Sequence, residues 1–114
     1  MDILQINGLQ ADIIIGLYEW ERKLKQKIFL DLELGLDIGP AAEKGTLEKS
    51  INYAEVCQKL THFLEASHYQ LLETLAEQTA QFLLQNFDLI KVKLKITKIA
   101  AINNIKDIAI IIER

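Results

Sequence analysis

Cysteine and proline are nearly absent from this 114-residue chain: Cys57 is the only thiol and Pro40 the only proline. A lone thiol excludes an internal disulfide framework and a thiolate metal cluster, and it fits a reducing compartment, so a cytoplasmic location is expected. Histidine is scarce too. His62 and His68 are the only two, and their spacing does not match the three- or four-residue offset of a helical ligand pair, so no metal site is expected. Neither sign of charge dominates, with thirteen basic against sixteen acidic residues and a net charge of -3, which argues against a nucleic-acid partner. The run Ile108 to Ile112 is far too short to cross a bilayer, and no basic segment leads into an apolar stretch near Met1, so no membrane partner is expected. Gly8, Gly16 and Gly35 stand alone, which leaves no phosphate loop and no dinucleotide fingerprint. Without repeats, low-complexity tracts or a Ser/Pro-rich linker, residues 1–114 read as a single domain.

Hydrophobic side chains make up half of the residues, enough for a core that needs no staple. Residues 27 to 38 alternate strictly, with Ile28, Leu30, Leu32, Leu34, Leu36 and Ile38 opposite Lys27, Phe29, Asp31, Glu33, Gly35 and Asp37, which predicts a half-buried strand. Residues 90 to 97 repeat the pattern, with Ile90, Val92, Leu94 and Ile96 opposite Lys91, Lys93, Lys95 and Thr97. Asp2 to Ile15 reads as a longer, less regular strand in which Gly8 marks a bulge or bend. Ile108, Ile110 and Ile112 mark a final strand. Between the second and third strands the period becomes helical: Tyr53, Val56, Leu60, Phe63 and Leu64 share one side, and Asn52 with Glu55 three residues on forms a variant capping box. A second helix is predicted from about Gln70 to Asn86, with Leu72, Leu75, Ala76, Thr79 and Leu83 facing inward, and Gly39-Pro40 to Ser50 reads as a loop with room for one helical turn. The order ββααββ predicts an α+β fold, a four-stranded antiparallel sheet with two helices on one face. If the second and third strands are neighbours, Asp31 and Glu33 lie near Lys93 and Lys95, either lining a wet tunnel or facing bulk solvent. With acidic neighbours and no interleaved exposed aromatics, that lysine stripe is not a nucleic-acid patch.

Ionisable residues stand out in four short stretches: Gly-Leu-Tyr-Glu-Trp-Glu at 16–21, Ile-Asn-Tyr-Ala-Glu at 51–55, Leu-Leu-Glu at 71–73, and Lys98. Glu73 falls in the first turn of the second helix, where peptide N–H groups favour a carboxylate. It serves there either to offset the helix dipole or to accept from adjacent N–H donors of a nitrogen-rich ring. Glu77, four residues on, reads as a solvated face. Tyr53 opens a helix, where a tyrosine usually packs its ring and leaves its hydroxyl wet, but a phenol there can also pass protons. Glu21 is either a solvent-facing loop glutamate or a carboxylate aimed at a ligand while Trp20 packs beside it. Lys98 closes a lysine-rich strand, as a solubilising residue or as a proton-transfer group. Cys57, near the buried stripe of its helix, reads as packing rather than as a nucleophile.

The order, spacing and local sequence of these four stretches resemble the dihydroneopterin aldolase family of folate-pathway lyases over the whole chain. The resemblance implies the tunnelling fold, in which the sheets of several subunits join edge to edge into a barrel with the helices outside. It further implies a homo-oligomer of tetrameric rings stacked as an octamer, with active sites between subunits. It puts Lys98 and Tyr53 in catalytic roles, and Glu21, Tyr53, Leu72 and Glu73 in substrate binding, with Glu73 as the pterin anchor and Tyr53 reaching across the subunit junction. The implied reaction cleaves dihydroneopterin to glycolaldehyde and 6-hydroxymethyl-7,8-dihydropterin by acid–base catalysis. No metal or other cofactor is required: the substrate has no ketone for a lysine Schiff base, and the ring imine is the electron sink. One departure is Ile99, which stands where the family usually has proline after its lysine; isoleucine restores a backbone donor and lets the strand continue. Two alternatives remain: a 2′-epimerase of dihydroneopterin or its triphosphate, and a non-catalytic oligomeric pterin-binding protein.

Overall fold

The computed structural model describes residues 1–45, 51–100 and 103–114. Its backbone is a long antiparallel hairpin, β1 (Asp2–Ile15) and β2 (Gln26–Leu36), joined through a 3₁₀ turn at Glu19–Lys23. β4 (Lys91–Ile99) pairs antiparallel with β2, and β5 (Asp107–Glu113) with β4. A two-residue strand, β3 (His68–Tyr69), pairs parallel with the end of β1, which sequence alternation cannot reveal because two residues carry no period. The sheet therefore runs β3-β1-β2-β4-β5, the four expected antiparallel strands plus one short parallel edge. Gly8 has a φ of +73°, a left-handed conformation favoured by glycine, and the β1–β2 register shifts between Ile6 and Leu9 at this bulge. Its N–H donates to Asp31 Oδ1 at 2.8 Å, so the residue freed from the ladder is still satisfied.

One face of the sheet is closed by α2 (Tyr53–Glu65) and α3 (Leu72–Asn86), while the short α1 (Gly39–Lys44) follows β2. Asn52 caps α2 as expected, its side-chain oxygen accepting the Glu55 N–H at 3.2 Å. Val56, Leu60 and Leu64 of α2, and Leu75, Ala76, Thr79, Ala80 and Leu83 of α3, are buried against Ile28, Leu30, Leu32 and Leu34 of β2 and Val92, Leu94 and Ile96 of β4. On the opposite face the register sets Asp31 against Lys95 and Glu33 against Lys93, the proximity expected if the two strands were neighbours. Several expectations need correction. Ile38 and Ile90 lie just beyond their strands and are exposed, because the ladder ends at Leu36 and starts at Lys91. Tyr53, at the first position of α2, is also exposed and does not pack its ring in the core with Val56, Leu60 and Leu64. Glu77 is not merely solvated: Arg114 Nε donates to both of its carboxylate oxygens, at 3.1 and 2.9 Å, tying β5's end to α3. By contrast, the helical turn allowed for in the segment from Gly39 is present as α1; residues 46–50 lie outside the described residues.

Candidate active site

Lys98 is the residue whose position strand periodicity decides. It has the same parity as Val92, Leu94 and Ile96, so the alternation that sends Lys91, Lys93 and Lys95 outward turns Lys98 to the helix-covered side. Its ammonium meets Glu21, with Lys98 Nζ 2.8 Å from Glu21 Oε2 and both side chains largely withdrawn from solvent. Burial pushes the Glu21 carboxyl up; the hydrogen bond and charge of Lys98 and the N–H groups of Tyr18 and Leu17 more than offset this, holding it below the ordinary carboxylate value. The site therefore contains a buried carboxylate–ammonium pair, and neither residue is the surface group that its sequence neighbourhood allowed.

The turn carrying Glu21 is shaped around that carboxylate. Tyr18 N–H donates to Glu21 Oε1 at 3.1 Å, and Glu21 N–H donates to Tyr18 O at 3.0 Å. Gly16 is buried beneath it, and a Cβ there would lie 2.3 Å from Glu21 Cβ. The glycine at the head of the Gly-Leu-Tyr-Glu-Trp-Glu stretch is thus required by close approach, not by backbone conformation. Tyr18 and Trp20 stack on each other with ring centroids 6.1 Å apart, both exposed, so Trp20 packs on an aromatic neighbour and not on Glu21.

Glu21 and Lys98 open into a cleft of about 370 Å³ that brings together parts distant in sequence. Gly16, Leu17 and Tyr18 form one wall, Leu71, Leu72 and Glu73 at the start of α3 another, and Ile108 and Ala109 of β5 a third. Its charged lining is Glu21, Glu73 and Lys98, set among leucine and isoleucine side chains. Leu71, the residue before α3, has extended backbone and offers no capping side chain, so the helix starts at the cleft without a side-chain cap. A wider groove of about 840 Å³ runs between α2 and α3, but its walls are the stacked Phe63 and Phe82 and its cation, Lys59, is paired with Glu55. The ionisable constellation belongs to the smaller cleft. Four of the five residues singled out from sequence, Glu21, Leu72, Glu73 and Lys98, meet there. Tyr53, exposed at the start of α2, is not among the residues lining it. His62 and His68 lie on separate elements, α2 and β3, and burial pushes the Cys57 thiol up, away from nucleophilic reactivity.

This geometry has close counterparts. The family model for dihydroneopterin aldolase (FolB) matches residues 4–113. The chain belongs to the dihydroneopterin aldolase family. It is 32% identical to dihydroneopterin aldolase of Escherichia coli K12 over 114 residues, all of this chain and 93% of that protein. With that of Haemophilus influenzae it shares 33% identity over all of this chain and 97% of the relative. Two crystal structures superpose with a TM-score of 0.94 at 32% identity over all of this chain: E. coli dihydroneopterin aldolase in complex with neopterin, 99% covered, and a protein of Vibrio cholerae described as a dihydroneopterin aldolase, 97% covered. As a member of this family the chain is a folate-biosynthesis enzyme, an aldolase. Two residues that support the cleft from outside were not legible in the sequence. Arg22 and Gln26 hold the turn that carries Glu21, and nothing in their spacing distinguishes them from the solvated charges of Arg-Lys-Leu-Lys-Gln-Lys at 22–27. Among the described residues no helix is long and apolar enough to cross a membrane.

Proposed function

We propose that the 370 Å³ cleft cleaves 7,8-dihydroneopterin by a retro-aldol reaction, with Glu73 anchoring the pterin and Lys98 moving the protons. The observation that carries this reading is the convergence of Glu21, Glu73 and Lys98, from three separate elements, on one largely apolar cleft. Neopterin bound to the E. coli relative supports a pterin as the occupant. Glu73 accepts from the adjacent ring N–H and amino group, and the uncapped backbone at Leu72 offers a further contact. Lys98, held by Glu21 as an ammonium, gives its proton to the ring nitrogen, and the neutral amine that results takes the proton of the 2′-hydroxyl directly or through water. The carbon–carbon bond then breaks and its electrons enter the protonated ring imine, giving an enamine. Glycolaldehyde leaves, and the ammonium of Lys98, directly or through water, protonates the side-chain carbon while the ring nitrogen gives its proton back, which restores the imine and leaves 6-hydroxymethyl-7,8-dihydropterin. No metal and no Schiff base enter this scheme. Positioned acid–base groups of this kind contribute about 10²–10⁴-fold in rate.

Tyr53 acts in this scheme from a neighbouring subunit. The tunnelling-fold assembly, a tetrameric ring or an octamer of stacked rings, is supported by the shape of the single chain. It extends 51 Å along its longest axis, and its radius of gyration is 15.4 Å, against roughly 13 Å for a compact domain of this length. Ile108 and Ile111 are exposed on β5, which is an edge strand of the sheet. Such an edge is normally paired or covered. A cytoplasmic enzyme fits a chain with one thiol.

The test is to incubate chelator-treated protein with dihydroneopterin and with its triphosphate, then separate the products by chromatography. Hydroxymethyldihydropterin with glycolaldehyde is the expected result. Monapterin alone would select the epimerase. That reading draws on Ile99, where β4 continues in register with Asp107 of β5 instead of being interrupted by proline. Substrate that binds but does not turn over would select a pterin-binding protein.

A further inference from the structure

Arg22 lies outside the cleft, yet its side chain is bonded to the backbone of the loop that forms one wall. Its Nη1 donates to Gly16 O at 2.8 Å and to Leu17 O at 3.0 Å. Among the described residues no peptide is cis, and in a planar trans peptide the C=O of one residue and the N–H of the next point in opposite directions. Holding Gly16 O therefore fixes the direction of Leu17 N–H, and holding Leu17 O fixes that of Tyr18 N–H. Tyr18 N–H donates to the Glu21 carboxylate at 3.1 Å, and Leu17 N–H, from the other peptide, contributes to holding that carboxyl low. Glu21 in turn holds Lys98 Nζ at 2.8 Å.

We propose that Arg22 is a positioning residue for Lys98, acting through two peptide planes and Glu21. The guanidinium holds the loop from behind, the two peptide units turn their N–H groups into the cleft, and those donors fix the carboxylate that sets the amine. Gln26 braces the same loop at both ends, its Nε2 donating to Ile15 O at 2.7 Å and to Glu21 O at 2.9 Å. The peptide beyond Ile15 O carries Gly16 N–H, which donates to Tyr69 O of β3 at 3.3 Å. Loop, turn and sheet edge are thereby joined into one unit. An arginine suits this position because a single nitrogen with two hydrogens serves both carbonyls, and a permanent charge strengthens both bonds.

The inference rests on assigning Lys98 to proton transfer, so the experiment carries Lys98→Ala as a separate arm. Steady-state kcat and KM are measured for wild type, Arg22→Lys, Arg22→Gln and Arg22→Met, with melting followed by circular dichroism. Because a displacement of about 1 Å near reacting groups can cost on the order of 10²-fold, Arg22→Met is expected to lower kcat by roughly 10- to 100-fold while KM changes less than about 2-fold. Arg22→Lys, which retains a charged nitrogen able to serve two acceptors, should recover most of kcat. In a Glu21→Gln background Arg22→Met should have little further effect, because the chain of contacts is already broken at Glu21. Should Arg22→Met not fold, the ordering of wild type, Arg22→Lys and Arg22→Gln gives the same reading. Wild-type kcat in Arg22→Met or, if that variant does not fold, in Arg22→Gln, or losses that multiply fully with Glu21→Gln, or losses that follow the melting temperature instead of the donor set, would overturn the role of Arg22. Full turnover in Lys98→Ala would instead overturn the assignment of Lys98.

Discussion

Replacing Gly16 by alanine tests whether the geometry of the Glu21 turn sets activity. The added Cβ would sit 2.3 Å from Glu21 Cβ and 2.9 Å from Glu21 Cδ, whereas unbonded carbons rest about 3.5–4.0 Å apart. Relief therefore requires a displacement of roughly 1 Å or more. A rotamer change cannot supply it, because Glu21 Cβ is attached directly to the turn's backbone; the backbone itself must move, carrying the carboxylate away from Lys98. Overpacking of this kind costs about 1–3 kcal/mol. At about 4 °C per kcal/mol for a domain of this size, the melting temperature should fall by roughly 4–12 °C. Turnover should fall further, on the order of 10²-fold, because the displaced group is the partner of the proposed proton-transfer amine. Gly8→Ala is the control. Nothing lies within 4 Å of its added Cβ, but the φ of +73° is strained for alanine, so it should lose about 1–2 kcal/mol of stability with kcat unchanged. Calorimetry and steady-state kinetics on both variants decide the matter. Wild-type kcat in a folded Gly16→Ala protein would refute the claim that the Glu21–Lys98 distance matters for catalysis.

Further tests address the remaining groups. Glu73→Gln turns one acceptor oxygen into a donor facing the ring's own donors, and should weaken pterin binding by roughly 1–3 kcal/mol with the melting temperature unchanged; unchanged affinity by calorimetry would return Glu73 to a helix-terminus role. Lys98→Met should destabilise the protein by roughly 3 kcal/mol at neutral pH, because it leaves the Glu21 carboxylate buried without its cation. The sign with pH follows from Glu21. Its carboxyl in the folded protein lies below the ordinary value of 4.5, so its contribution is present above that pH and is lost as pH falls through the folded value. The difference between wild type and Lys98→Met, measured by urea unfolding at fixed subunit concentration, should therefore shrink as pH is lowered; a pH-independent difference would contradict the pairing. Mixing inactive Tyr53→Phe and Glu73→Gln proteins under conditions that exchange subunits should restore part of the activity, since some mixed junctions carry one intact site. No recovery despite proven exchange would put both residues in one subunit's site.

Local pattern was enough for most of the fold. Side-chain alternation at period two marked β2 and β4 and put Asp31 and Glu33 near Lys93 and Lys95 if the two strands were neighbours, which they are, and the helical period with Asn52 located the start of α2. These features depend on residues only a few positions apart, which is the range over which propensity and periodicity act. The alternation of β4 also contained more than its lysine content suggested, since Lys98 is in phase with Val92, Leu94 and Ile96 and not with Lys91, Lys93 and Lys95. What the pattern could not supply was the partner. Glu21 and Lys98 are 77 positions apart, and only the pairing of β1, β2 and β4 brings the turn after β1 to the end of β4. The same holds for Arg22, whose task is visible only once the carbonyls it holds are in place. The sequence alone determined the elements, their order and the chemical types available, because these are set by neighbours along the chain. Tertiary structure alone decided that a loop glutamate and a strand lysine become one buried pair: desolvation and Coulomb attraction depend on distance through space, which no spacing along the chain encodes.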